Sequence, residues 1–343
     1  MMAQKFNSQD KVTIREQWNK PLLDFLCQKL NDKLIYLGLP GPEAIDVLTW
    51  IDHIKAVIAF QCRHPKNEFS NNQNDVSSLR RILFNLHRGG KIDRQIVYDG
   101  MMERIVLSGV DLSTPIQRFV LSEIVTLYNL DFCNHLGSPF PLVTKEGKFI
   151  KDVYKFEVID RLLKEQKRIQ NAKRTPAKFV LFLTTQCSYG KNDGFGEIIN
   201  FINAEQPREV KEYIDKFLSF TSYDKNSRIV RLYVARELSA QFAYYGFIPF
   251  FAPTIFYTGN NSTDKLLHFV ILGIGSKAND AAQTLDELMK QKFIGFHENR
   301  FVNHGINSEV DVGLNLVDNF SNSRVFQEIW DAPNSTRRAE LQE

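Results

Sequence analysis

The stretch between residues 34 and 60 constrains the fold more than any other part of this chain. Leu34-Ile35-Tyr36-Leu37 is a short apolar run that stops at Gly38-Leu39-Pro40-Gly41-Pro42. Residues 43–53 then read as a helix, with Ala44, Val47, Leu48 and Ile51 on one face and Pro42 in a favourable first-turn position. A second apolar run, Ala56-Val57-Ile58-Ala59-Phe60, follows at once. Strand, tight loop, helix and strand in such a short span make a βαβ unit. That crossover demands a parallel sheet.

Later segments continue the alternation. Residues 77–86 read as helix, 104–107 as a third strand, and 123–132 as a region holding a strand that ends in Tyr128-Asn129-Leu130-Asp131-Phe132. An amphipathic helix is expected over 153–169 and a buried strand over 178–184. A helix over 230–245 is closed by Gly246, and strands over 248–258 and 266–272 are joined as a hairpin through Gly259-Asn260-Asn261-Ser262. The expected architecture is α/β: a mostly parallel, Rossmann-like sheet flanked by helices, with a terminal antiparallel hairpin. Residues 1–33 form an N-terminal helical appendage, with Ile14, Trp18, Leu22, Phe25, Leu26 and Leu30 on one face. Residues 34–275 form the main domain, and 276–343 a C-terminal helix and polar tail.

Composition suits such a core. Phenylalanine occurs 27 times against 18 glycines, and 43% of the 343 residues are hydrophobic, which excludes a disordered or collagen-like chain. No apolar stretch reaches the ~18 residues of a membrane-spanning helix. The first ten residues are polar, and Cys27, Cys62, Cys133 and Cys187 read as reduced thiols, which points to a cytoplasmic protein. Forty-three basic against 40 acidic residues neither demands nor excludes a nucleic-acid partner. The basic cluster Lys164, Lys167, Arg168, Lys173, Arg174 and Lys178 reads as a solvated helix end and linker.

This order of elements resembles the class I S-adenosylmethionine-dependent methyltransferase fold, in which the last strand inserts antiparallel beside the strand before it. The resemblance covers roughly residues 34–275. It implies S-adenosylmethionine as cofactor, with the loop after the first strand passing close to it. Gly38 and Gly41 match that loop, and Glu43 adjoins it. Pro40 and Pro42 remove two N–H donors there, and Tyr36 stands where the family carries an acidic residue. Gln61 ends the second strand, where the family's acidic residue holds the ribose hydroxyls.

At the end of the fourth strand, Asn129, Asp131, Phe132 and Asn134 place polar and aromatic groups where open α/β sheets bind ligands. The resemblance to amino-methyltransferases assigns Asp131 to orienting or deprotonating the acceptor and Phe132 to holding a flat substrate. Asn129, Asn134 and Tyr189 are the expected substrate contacts, with Thr185 and Gln186 on the same edge. The two Cys-x-His pairs, Cys62/His64 and Cys133/His135, lie two strand spacings (~10 Å) apart and are not expected to bind metal. Two functions remain open at this point. One is a methyltransferase-like enzyme, with nucleic acid as a possible substrate. The other is a catalytically inactive Rossmann-like interaction subunit of a nucleic-acid-processing or defence complex.

Overall fold

The computed structural model describes residues 8–63, 74–109, 111–113, 119–132, 135–144, 148–186, 225–252, 254–258, 265–276 and 316–331. An N-terminal helical segment runs through α1 (Gln9–Thr13), a π-helical stretch (Ile14–Asn19) and α2 (Lys20–Leu30). The βαβ unit follows as β1 (Leu34–Gly38), α3 (Ile45–Thr49), a 3₁₀ turn (Ile51–His53) and β2 (Ile54–Gln61). The helix expected over 43–53 is thus shorter. Gly41 at φ +70 and Ala44 at φ +51 make a turn closed by the Ala44 N–H on the Gly41 carbonyl, which delays the first helical residue.

Next come α4 (Asn74–Arg88), β3 (Arg94–Asp99), α5 (Met102–Ser108) and β4 (Leu127–Asp131). The third strand is therefore not at 104–107, which lies inside α5. Three apolar residues in a row suit a buried helical turn as well as a strand. A separate hairpin, β5 (Phe140–Val143) with β6 (Phe149–Val153), precedes α6 (Lys155–Lys173) and β7 (Lys178–Gln186). The chain then forms α7 (Lys225–Tyr244), β8 (Phe247–Phe251), β9 (Ile255–Thr258) and β10 (Lys265–Gly275). Gly246 ends α7 at φ +70, as a left-handed cap should. Two short helices, α8 (Leu316–Ser321) and α9 (Arg324–Asp331), complete the described chain.

The sheet runs β3-β2-β1-β4-β7-β10-β8, with β9 also paired to β10. Strands β1, β2, β3, β4 and β7 are parallel, while β10 is antiparallel to both β7 and β8. So β10 enters between β7 and β8. The expected long strand over 248–258 is two shorter ones, and its joining loop at 259–262 lies outside the described residues.

Successive residues of a strand face opposite sides, and both sides of this sheet are covered. Leu37, Ile58, Leu130, Leu181 and Phe269 pack with α5, α6 and α7. Tyr36, Val57, Leu127, Phe182 and Val270 pack with the N-terminal segment, α4, α8 and α9. Leu22, Leu23 and Leu26 from α2 and Phe326 and Trp330 from α9 are at most 2% exposed, so both chain ends contribute to the core.

Candidate functional site

Strand order reverses between β1 and β4, and in open α/β sheets that is where the carboxyl ends of the strands leave a crevice. Here the crevice is filled by the chain itself. Lys11, Arg15 and Asn19 follow at intervals of four, which puts them on one face of the N-terminal segment. Each meets a different strand end or its adjoining helix.

Lys11 Nζ is 2.6 Å from Asp131 Oδ2, at the end of β4. The Arg15 guanidinium pairs with Asp46 in the first turn of α3, and the Trp50 indole N–H donates to the Arg15 carbonyl at 3.1 Å. Asp46 also accepts from the Asn129 amide at 2.7 Å, and that amide lies 3.2 Å from the Tyr36 hydroxyl. Asn19 Oδ1 is 3.1 Å from His268 Nε2, while His268 Nδ1 is 3.0 Å from the Thr184 hydroxyl. An amide oxygen only accepts, so Nε2 carries the proton and Nδ1 accepts from Thr184. Burial holds His268 neutral, with its pKa lowered to about 4. Burial also raises the Tyr36 and Tyr257 hydroxyls well above their ordinary value, so both stay protonated.

Around these groups remains a cavity of only about 40 Å³, bordered also by Tyr257. A pocket for a molecule of cofactor size encloses ~300 Å³ or more.

The residues expected to hold S-adenosylmethionine have other occupations here. Gly38 is required by packing: a Cβ there would collide with the Asn129 carbonyl oxygen, which already accepts from the Leu39 N–H at 3.1 Å. Gly41 serves the turn described above. Glu43 is exposed on the loop. Gln61 is buried and donates to the carbonyl of Cys62 at 3.0 Å. The residues present therefore do not fit the cofactor while the N-terminal segment lies in the crevice.

Of the expected acceptor-site residues, Asn129 and Asp131 do come together at the crevice. Phe132 does not join them: it is 3% exposed, its N–H extends the ladder to the Thr184 carbonyl at 3.1 Å, and its ring packs in the core. It has no free face on which a flat substrate could stack. Thr185 is fully buried, and Thr184 is the residue that borders the crevice. Asn134 and Tyr189 lie outside the described residues, as do His64 and Cys133 of the Cys-x-His pairs. No group of three or more metal-ligating side chains occurs among the described residues.

Sequence reasoning missed Lys11, Arg15, Asn19, Asp46, Thr184 and His268. The four-residue spacing of Lys11, Arg15 and Asn19 was a readable signal, since it sets a polar stripe beside the buried Ile14 and Trp18. Nothing local marked His268.

A second polar centre stands at the ends of β2 and β3. Arg63 Nε is 3.0 Å from both carboxylate oxygens of the fully buried Asp99. The Ser113 hydroxyl donates to Asp99, and the Asp99 N–H donates to Asp111 at 3.2 Å. With its carboxylate enclosed in this way, Asp99 holds two strand ends and the 111–113 segment together.

The strand order decides the fold. It is methyltransferase-like. The antiparallel insertion of β10 beside β7 is the arrangement that the resemblance implied. Among solved structures the chain is similar to an O-methyltransferase from Bacillus cereus in complex with SAH, at 12% identity, covering 80% of this chain and 84% of that one, with a TM-score of 0.37. It is also similar to magnesium protoporphyrin IX methyltransferase from Synechocystis with bound SAH (10% identity, 78% and 87% covered, TM-score 0.35). A third is a SAM-dependent methyltransferase from Thiobacillus denitrificans, in complex with S-adenosyl-L-homocysteine (11% identity, 78% and 99% covered, TM-score 0.27). No protein-family model and no curated protein matches the chain.

Proposed function

We propose that this methyltransferase-like protein acts as an interaction subunit whose cofactor crevice is occupied by its own N-terminal segment. One observation carries the reading: Lys11, Arg15 and Asn19 stand on Asp131, Asp46 and His268, where a nucleotide-sized ligand would have to lie. Pro40 and Pro42 support it, since they withdraw N–H donors from the loop that would face such a ligand.

A second reading rests on the chemistry under the segment. If the segment withdrew, Asp46, Asn129 and Asp131 would be bared together at the switch point, as an S-adenosylmethionine-dependent transferase would require. Asp131 would then be the group that orients the acceptor.

Nucleic acid as the substrate receives little support from the basic cluster on and after α6. Arg168 pairs with Glu165, Lys167 donates to the Ser276 carbonyl and Lys178 to the Trp330 carbonyl. Cytoplasmic location belongs to the same proposal. No helix among the described residues is long and apolar enough to cross a membrane.

Calorimetry with S-adenosylmethionine and S-adenosylhomocysteine, on the full chain and on the Lys11→Glu/Arg15→Glu variant, separates the readings. The interaction reading expects no heat from either protein at millimolar ligand. Binding by the wild type would overturn it. Binding by the variant alone would favour a transferase that opens by moving the segment.

A further inference from the structure

Among the described residues strand β3 is an edge of the sheet, hydrogen-bonded to β2 alone. The Gly100 N–H donates to the Gln61 carbonyl at 3.0 Å, so the even-numbered residues of this strand turn their backbone groups towards β2. The odd-numbered ones turn outwards. At Asp99 the outward groups are covered, because its carbonyl accepts from the Leu112 N–H at 2.9 Å and its N–H donates to Asp111. At Val97 the carbonyl is covered only by a side chain, the Arg80 guanidinium at 3.4 Å. The N–H of Val97 and both backbone groups of Gln95 have no partner among the described residues.

Beside this short open edge, α4 leaves a groove of about 650 Å³ lined by Arg80, Arg81, Phe84, Gln95, Ile96 and Val97. Phe84 is 52% exposed and offers an apolar face beside the strand. Arg81 is exposed and makes no ion pair among the described residues, and Arg80 borders the groove beside it. The groove therefore combines unpaired strand groups, an apolar floor and an uncompensated positive rim.

We propose that this groove binds an extended acidic segment of a partner protein, which adds as a short strand to β3. Backbone groups of the segment pair with Gln95 and the Val97 N–H, an apolar side chain rests on Phe84, and carboxylates meet Arg80 and Arg81. Arg80 guards the edge when the groove is empty and turns from the Val97 carbonyl to a carboxylate when it is filled. The positive rim selects an acidic occupant. The open strand edge selects a peptide over a nucleic acid, since a nucleic acid has no alternating N–H and C=O groups with which to continue the ladder. The inference names a partner chemistry for the interaction reading above and borrows from it only that purpose.

The test uses the full chain and a fluorescein-labelled peptide of alternating glutamate and valine, followed by anisotropy. Saturable binding is expected. The same peptide with lysine for glutamate should bind at least tenfold more weakly. Arg81→Glu, an exposed substitution, should weaken binding at least tenfold. So should Gln95→Pro, which removes an outward N–H from an edge strand and should leave the melting temperature nearly unchanged. Hydrogen exchange at Gln95 and Val97 should slow at least tenfold on peptide addition. Absence of saturable binding, equal affinity for the lysine peptide, or unaltered exchange at those two amides would overturn the proposal. Tighter binding of a labelled oligothymidylate than of the acidic peptide would overturn it in favour of a nucleic-acid surface. Cofactor calorimetry reports on the crevice and not on this edge, so either proposal can fail while the other stands.

Discussion

Lys11 and Asp131, 120 residues apart in the chain, meet as an ion pair with 2.6 Å between nitrogen and oxygen. Their side chains are 21% and 32% exposed, so solvent screens the pair and its energy is modest. Its importance is positional, because it fixes the start of the N-terminal segment over the end of β4. Lys11→Glu should lower stability in urea by about 1 kcal/mol. The exchange Lys11→Asp with Asp131→Lys should recover at least half of that. A swap no more stable than the single variant would show that the two charges do not face each other in solution.

Gly38 should be intolerant of even the smallest side chain. In Gly38→Ala the new methyl would meet the backbone oxygen of Asn129 and lie 2.9 Å from the Tyr36 hydroxyl. Backbone cannot step aside as a flexible side chain can, so a loss of about 3 kcal/mol or more is expected. Equilibrium unfolding measures it. A cost below about 1 kcal/mol would mean that β1 and β4 separate more easily at this end than their pairing implies.

Phe132 gives a test of core against site. As a buried ring, Phe132→Ala should cost about 3–5 kcal/mol, while Phe132→Leu should cost much less. A residue held only for stacking on a ligand would show little stability loss in either variant.

His268 makes stability depend on pH. Its folded pKa of about 4 lies below the ordinary 6.5, so the unfolded chain binds the proton more tightly. The stabilisation is complete above pH 6.5 and is lost as pH falls from there towards 4, by up to about 3 kcal/mol. Urea midpoints measured between pH 7.5 and 4.5 should fall accordingly, and His268→Gln should flatten that part of the profile. An unchanged slope in the variant would assign the dependence to other groups.

How far the sequence could be read follows from where each element sits. β1, β2 and β7 are covered on both faces and therefore stand out as unbroken apolar runs. β3 begins with Arg94 and Gln95 at an exposed edge, so its pattern is weak and the neighbouring Ile105-Val106-Leu107 was mistaken for it. The position of Asn129 and Asp131 at the crevice was legible because both stand at a strand's carboxyl end. Phe132 was misread because only the third dimension shows that the ladder continues through it. What fills the crevice could not be read at all. The Asn19–His268 contact joins residues 249 apart, and no local pattern encodes which strand ends a helical segment will cross.

The late position of β10 in the chain has a consequence for biogenesis. β7 and β8 cannot be joined until residues 265–275 have been synthesised and threaded between them. Until then β7 has an unsatisfied edge and Phe182 lacks its cross-strand neighbour Val270. Pairings this distant form slowly and leave apolar edges open to other chains in the interval. The emerging polypeptide is thus most vulnerable to misassembly in the time between leaving the ribosome with β7 and acquiring β10.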